Sequence, residues 1–208
     1  MERLTTRIVG PDGPLTAKIC LIGQAPGAEE DLLGVPFKGE AGKRLDKSLR
    51  AAGLHRANVL VYNIFVQRPP NNKVEYFFQD KSCTKLTWEG QEHVDRLKTW
   101  LEELLERRNA TGEGPNVIGA LGREAMMVLT GKKRISKWRG SVLPCTLVPG
   151  FKVYPTYHPS FVLRMMNEPR AQLYGEKKRL QENILPVFNL DLERIAICLL
   201  YTSPSPRD

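Results

Sequence analysis

Residues 17–53 read AKICLIGQAPGAEEDLLGVPFKGEAGKRLDKSLRAAG. The stretch opens on a short apolar run, residues 17–22, that stops at Gly23. A run this short, bounded by a glycine, predicts a buried strand. Five glycines follow within twenty residues, at 23, 27, 34, 39 and 42. Glycines at this density let the backbone approach a ligand closely. Residues 41–52 then place Leu45 and Leu49 four apart and stop at Gly53, which predicts a helix. Strand, glycine-rich loop and helix form the opening unit of a parallel α/β sheet. In such sheets, ligands bind at the carboxyl ends of the strands.

The same alternation continues outward. Residues 58–66 (NVLVYNIFV) predict a second buried strand, stopped by Arg68-Pro69-Pro70. Residues 90–108 carry Val94, Leu97, Leu101, Leu104 and Leu105 on one helical face. Residues 116–121 predict a third strand, with Gly122 opening a helix through Leu129. Residues 151–155 predict a fourth strand, and 174–197 a helix interrupted near Pro186. The expected fold is α/β, a three-layer αβα sandwich around a central four-stranded parallel sheet. One domain is expected over 17–197, with 1–16 as an N-terminal extension. Residues 71–89 are polar and irregular, carry Tyr76, Phe77 and Phe78, and read as an insertion. This segment follows the strand that holds Asn63, and the sequence assigns it no function.

Composition narrows the function. The 208 residues contain 41% hydrophobic and 26% charged side chains, which excludes a disordered chain. No run of eighteen apolar residues and no apolar leader occurs, so neither a membrane partner nor secretion is expected. The expected location is cytoplasmic. The net charge of +8 suits a polyanion such as nucleic acid. Cys20, Cys83, Cys145 and Cys198 include no CxxC pair, and only three histidines are present, which argues against a zinc finger. The final eleven residues, CLLYTSPSPRD (198–208), resemble the translated mosaic end of a transposase sequencing adapter and are set aside as not native. The true C-terminus is then unknown, and a longer protein cut short is one open reading.

Three strand ends carry the chemistry. The loop after the first strand is neither a Walker A motif nor GxGxxG. It does contribute an aromatic ring, Phe37. Asn63 lies in an otherwise apolar strand and offers a donor and an acceptor on one planar group. His158 follows the fourth strand and precedes Pro159-Ser160. Each has a bland alternative: a core amide bonded to backbone, or a structural imidazole. Together they suit a flat heterocycle that is stacked, read along one edge and met by an imidazole at a carbonyl oxygen. Enzymes acting on a flipped-out base need such a pocket.

At this point a family resemblance becomes specific. GQAPGAEEDLLGVPFKGEAGKRLD (23–46) resembles the first motif of the uracil-DNA glycosylase superfamily, closest to its family 4 type. VYNIFVQRPPNNK, NVIGALGREAMMVLTGKKRISKWRG and YPTYHPSFVLR follow in that family's order. The resemblance implies a glycosidase that hydrolyses the N-glycosidic bond of uracil in DNA during base-excision repair, acting as a monomer. It implies that Phe37 stacks on uracil, Asn63 pairs with O4 and N3–H, and His158 stabilises the uracil anion at O2. Gln24 and Ala25 stand where the family places its water-activating groups. Glu30 matches the residue that crowds the C5 position, with a solvated surface carboxylate as the alternative. Ser160, Phe161, Val162, Leu163 and Arg164 would form the loop that enters the minor groove. Phe161, Val162 or Leu163 would be the wedge, and Arg164, Lys137 and Arg139 the phosphate contacts.

Two departures stand out. Gln24 replaces the family's glutamate, and Ala25 replaces the aspartate of the other main branch, so neither usual acid is present. Either activity is reduced, or a carboxylate such as Glu29 or Glu30 compensates, or the domain binds uracil or DNA with weak catalysis as the front part of a longer phage or bacterial replication or repair protein. The family 4 iron–sulfur cluster needs four cysteines, including one directly before RPP, where this chain has Gln67. No cofactor and no metal are expected.

Overall fold

A computed structural model describes residues 3–80, 82–169 and 175–198. The expected parallel sheet is present, built from β1 (Ile19–Gly23), β2 (Val59–Asn63), β3 (Val117–Leu121) and β5 (Lys152–Thr156). A fifth strand, β4 (Leu143–Pro144), pairs antiparallel with β5 at one edge. The sheet order is β2-β1-β3-β5-β4. The four-stranded expectation is therefore corrected by one strand. Two residues show no periodicity, and a proline is confined to edges such as this one.

Among the described residues, seven helices accompany the strands: α1 (Ala28–Leu33), α2 (Glu40–Ala51), α3 (Trp88–Thr111), α4 (Arg123–Thr130), α5 (Ile135–Trp138), α6 (Pro159–Asn167) and α7 (Gly175–Ile197). Alternate strand residues face opposite layers. Cys20, Ile22, Leu60 and Ile118 pack against Leu97 and Leu101 of α3 and Met126 and Leu129 of α4. Ile19, Leu21, Val61 and Val117 pack against Leu45 and Leu49 of α2 and Phe188, Leu192 and Ile195 of α7. Helix α7 runs through Pro186 as one element, where the sequence suggests an interruption. Burial of Ile184 and Phe188 on either side of the proline holds both halves against the sheet. Helix α3 exceeds its expected bounds because Thr87 Oγ1 caps Gly90 N–H at one end and Gly112 adopts φ 71° at the other.

The stretch 71–89 is mostly exposed, as its composition suggests, yet it is pinned to the core. Two short 3₁₀ turns, Pro70–Asn72 and Val74–Phe77, lead into α3. Phe77 and Phe78 are buried, and Phe77 stacks on Phe65 with centroids 4.1 Å apart. Residues 5–12 likewise join the body of the fold. Val9 N–H donates to Val66 O, and Asp12 and Val61 exchange two backbone bonds of 3.0 and 2.8 Å. This segment covers the exposed edge of β2, which would otherwise present unpaired backbone groups.

Strand register fixes what meets at the carboxyl edge. Gly23 pairs with Asn63, Ile22 with Ala120, and Leu121 with Thr156. The residues just beyond these pairs, Gln24, Gly122 and His158, therefore converge above the sheet.

Candidate active site

A pocket of about 230 Å³ opens at this edge, lined among others by Gln24, Ala25, Glu30, Phe37, Asn63, His158 and Ser160. Gly23 makes it possible. A Cβ there would lie 2.4 Å from Phe37 Cζ and 2.7 Å from Asn63 Oδ1, so only hydrogen fits between the ring and the amide.

Phe37 is buried and has φ 57°, a conformation that costs a bulky residue about 1–3 kcal/mol. The surroundings enforce it. A Cβ on Gly42 would meet Phe37 O at 1.9 Å, so the first turn of α2 sits directly against this backbone. Glu30 fixes the loop from the other side. Its Oε2 accepts from Gly27 N–H at 3.0 Å, and its Oε1 accepts from the Lys38 and Gly39 N–H groups at 3.0 and 2.8 Å. Glu30 is thus a buried clamp lining the pocket, not the solvated carboxylate of the alternative reading.

Asn63 is 2% exposed, and its Oδ1 has no hydrogen-bond partner among the described residues. A buried acceptor left unpaired costs about 1–3 kcal/mol, which a ligand N–H would recover. This disposes of the core amide bonded to backbone through that oxygen.

His158 caps α6. Its Nδ1 accepts from Ser160 N–H at 3.2 Å and lies 2.7 Å from Ser160 Oγ. An Nδ1 that accepts is unprotonated, so the proton of the neutral ring sits on Nε2. Burial, reinforced by the Arg164 guanidinium and opposed by Glu30, pushes the imidazole down to about 4. The ring is therefore a neutral Nε2–H donor at physiological pH. It lies 6.3 Å from Phe37, centroid to centroid, at 32°.

The chain matches the family model described as the Uracil DNA glycosylase superfamily over residues 11–183. It belongs to that superfamily. The superfamily match starts at residue 11, within the segment read as an extension. Among curated relatives, the Type-4 uracil-DNA glycosylase of Thermotoga maritima is 34% identical over 161 residues, covering 76% of this chain and 73% of the relative. The enzyme of the same name from Archaeoglobus fulgidus is 33% identical over 169 residues, covering 78% and 75% respectively.

The remaining expected residues divide. Ser160, Phe161 and Arg164 line a second cavity of about 640 Å³ that shares Gln24 and His158 with the first. Phe161 and Leu163 are partly buried and Arg164 is exposed. Val162 is fully buried in the core of the α6 layer, so it is corrected from wedge to packing residue. Arg139 is also corrected. Its Nε and Nη2 donate to Asp191 at 3.1 and 2.8 Å, and Asp191, 1% exposed, also accepts from Thr156 Oγ1. The guanidinium ties the segment after α5 to α7 and is committed there. Lys137 is exposed, with Nζ 5.3 Å from the Trp138 ring centre.

Cys20, Cys83 and Cys145 are buried free thiols, and burial pushes each of them up. Among the described residues, no three His, Cys, Asp or Glu side chains are grouped to hold a metal ion. Gln67, standing before RPP, instead donates Nε2 to Thr5 O at 2.6 Å. Among the described residues, no helix is long and apolar enough to cross a membrane.

Sequence reasoning missed Glu124. This carboxylate, 4% exposed in the first turn of α4, accepts from Gln24 Nε2 through Oε2. It also accepts from Arg123 Nε and Nη2 through Oε1, at 2.9 and 2.7 Å. Pro69, Asn72 and Val74 also reach the pocket wall.

Proposed function

We propose that this protein excises uracil from DNA by hydrolysing the N-glycosidic bond of a flipped-out nucleotide. The carrying observation is the unpaired Asn63 Oδ1 in a pocket between Phe37 and the neutral His158. Uracil presents an N3–H donor beside an O4 acceptor, and a single carboxamide complements both. Cytosine carries an acceptor and a donor at the same positions, so the same amide, held in this orientation, rejects it. Phe37 supplies the stacking face. His158 Nε2–H donates to O2.

As the C1′–N1 bond breaks, its electron pair passes to the uracil ring and charge accumulates on O2. A preplaced donor acts where that charge develops. A water oxygen, oriented by Gln24, then bonds to C1′, and its proton passes through solvent to the departed uracil anion. Outside the pocket, Ser160 to Arg164 form the DNA-entering edge. Phe161 or Leu163 fills the vacated stack, and Arg164 and Lys137 meet phosphates.

The test is a single-uracil oligonucleotide incubated with the protein and then cleaved with alkali at abasic sites. Strand breaks are expected with wild type, at a rate reduced about 100- to 1,000-fold by His158→Ala. Intact strands at excess wild-type protein, with tight binding to the same DNA, would favour the binding module instead.

A further inference from the structure

We propose that Glu124 is the positioning residue for Gln24 and supplies the negative charge that neither position 24 nor position 25 carries. The inference rests on the uracil-excising reading above and concerns how that site handles water. Gln24 extends from the end of β1, and Glu124 projects from the start of α4 directly after the neighbouring strand β3. Gly122 packs closely against Gln24 and His158. A Cβ at 122 would come within 3.2 Å of Gln24 Nε2 and 3.1 Å of His158 Cβ. The pair sits where the two cavities join, since Gln24 lines both and Glu124 lines the larger.

The chemistry of the pair is directional. A carboxylate only accepts, so Glu124 selects the Nε2 end of the amide and leaves Oε1 as the acceptor. An unconstrained carboxamide could present either end to a water molecule. Only the oxygen end can take a hydrogen bond from that water and turn its lone pair toward C1′. Donation to a buried anion also polarises the amide and makes Oε1 a better acceptor. Glu124 itself is held by Arg123, whose side chain is 42% exposed against 6% for the carboxylate. The carboxylate is thus the more buried member of an ion pair whose two side chains both line the larger cavity. Glu30 cannot perform this role because its two oxygens accept three backbone N–H groups.

The experiment measures single-turnover excision from a uracil oligonucleotide and, separately, the dissociation constant for the same oligonucleotide carrying a non-cleavable 2′-fluoro uracil nucleotide. Glu124→Gln keeps size and shape and removes only the charge. It is expected to slow excision about 100-fold while leaving the dissociation constant within about twofold. Gln24→Glu alone places two carboxylates in contact and is expected to be slow as well, with a rate that rises as pH falls and one of them protonates. The exchange variant Gln24→Glu/Glu124→Gln restores one amide and one carboxylate with the hydrogen bond reversed, and should recover to within about tenfold of wild type. Wild-type excision by Glu124→Gln, or a double variant no faster than either single one while melting normally, overturns the proposal and leaves the uracil-excising reading intact. A wild type that binds uracil DNA without cutting it overturns that reading, and this proposal with it.

Discussion

The tautomer and acidity of His158 provide the most exposed prediction of this site. Its ring is expected to titrate near 4, against an ordinary value of 6.5, because burial and Arg164 oppose the charged form. That difference corresponds to about 3 kcal/mol of linked free energy. The sign follows from proton counting. Between pH 6.5 and 4 the unfolded chain binds a proton at this histidine and the native state does not, so stability falls as pH falls through that window. Above 6.5 neither state is charged and the contribution is flat. His93, also pushed down to about 4 by burial and Arg96, acts with the same sign. Urea unfolding of wild type between pH 6 and 4.5 should therefore lose stability faster than His158→Gln does, by about 1.4 kcal/mol per pH unit. In parallel, ¹⁵N imidazole spectra should show the Nε2–H tautomer down to pH 5, and the single-turnover excision rate should show no break between pH 5 and 8 from this group. A His158 midpoint near 6.5, or equal pH slopes in wild type and variant, would refute the reasoning from burial and Nδ1 acceptance.

Further expectations follow from individual contacts. Asp191→Ala leaves the Arg139 guanidinium without its anion and Thr156 Oγ1 without its acceptor, and should cost about 3–5 kcal/mol in urea unfolding. Arg139→Gln should lower stability without changing the salt dependence of DNA binding, whereas Arg164→Ala should reduce that slope by about 1 at unchanged melting temperature. Asn63→Ala removes a buried acceptor with no partner among the described residues, so its stability should stay within about 1 kcal/mol of wild type while inhibition by free uracil is lost. Gly42→Ala drives a methyl into Phe37 O and should abolish excision before it unfolds the chain, as followed by activity and circular dichroism on the same samples.

Much of the fold was legible because its strands announce themselves. Four apolar runs, five to nine residues long and each closed by Gly or Pro, are enough to imply a parallel sheet, and its edge locates Gln24, Asn63 and His158 without coordinates. What escaped was set by partners far away in the chain. Phe77 and Phe78 look like loop aromatics until Phe65 is placed beneath them. Arg139 is indistinguishable from a phosphate-binding arginine until α7 brings Asp191 to it across 52 residues. Val162 belongs to a loop motif by sequence and to the core by helix phase, since α6 buries Val162 and Met165 three apart. In each case local chemistry was ambiguous, and tertiary burial decided between two readings of the same side chain.

The same logic explains why counting acids in the first motif misleads. Positions 24 and 25 hold no carboxylate, and the nearby acids fail for separate reasons: Glu29 is exposed and Glu30 is used up by backbone donors. Yet β1 and β3 are neighbours in register, Ile22 against Ala120, so the residues beyond their ends face one another although 100 positions separate Gln24 from Glu124. A catalytic edge built from several strand ends does not require its charge on any particular strand. It requires the charge within hydrogen-bond reach of the group that meets the water. Moving the carboxylate from β1 to the start of α4 keeps the electrostatics and replaces a group that could take a proton with one that only directs the water. That suits a reaction in which bond breaking runs ahead of attack, because an oxocarbenium ion needs orientation and a nearby negative charge more than it needs a strong base.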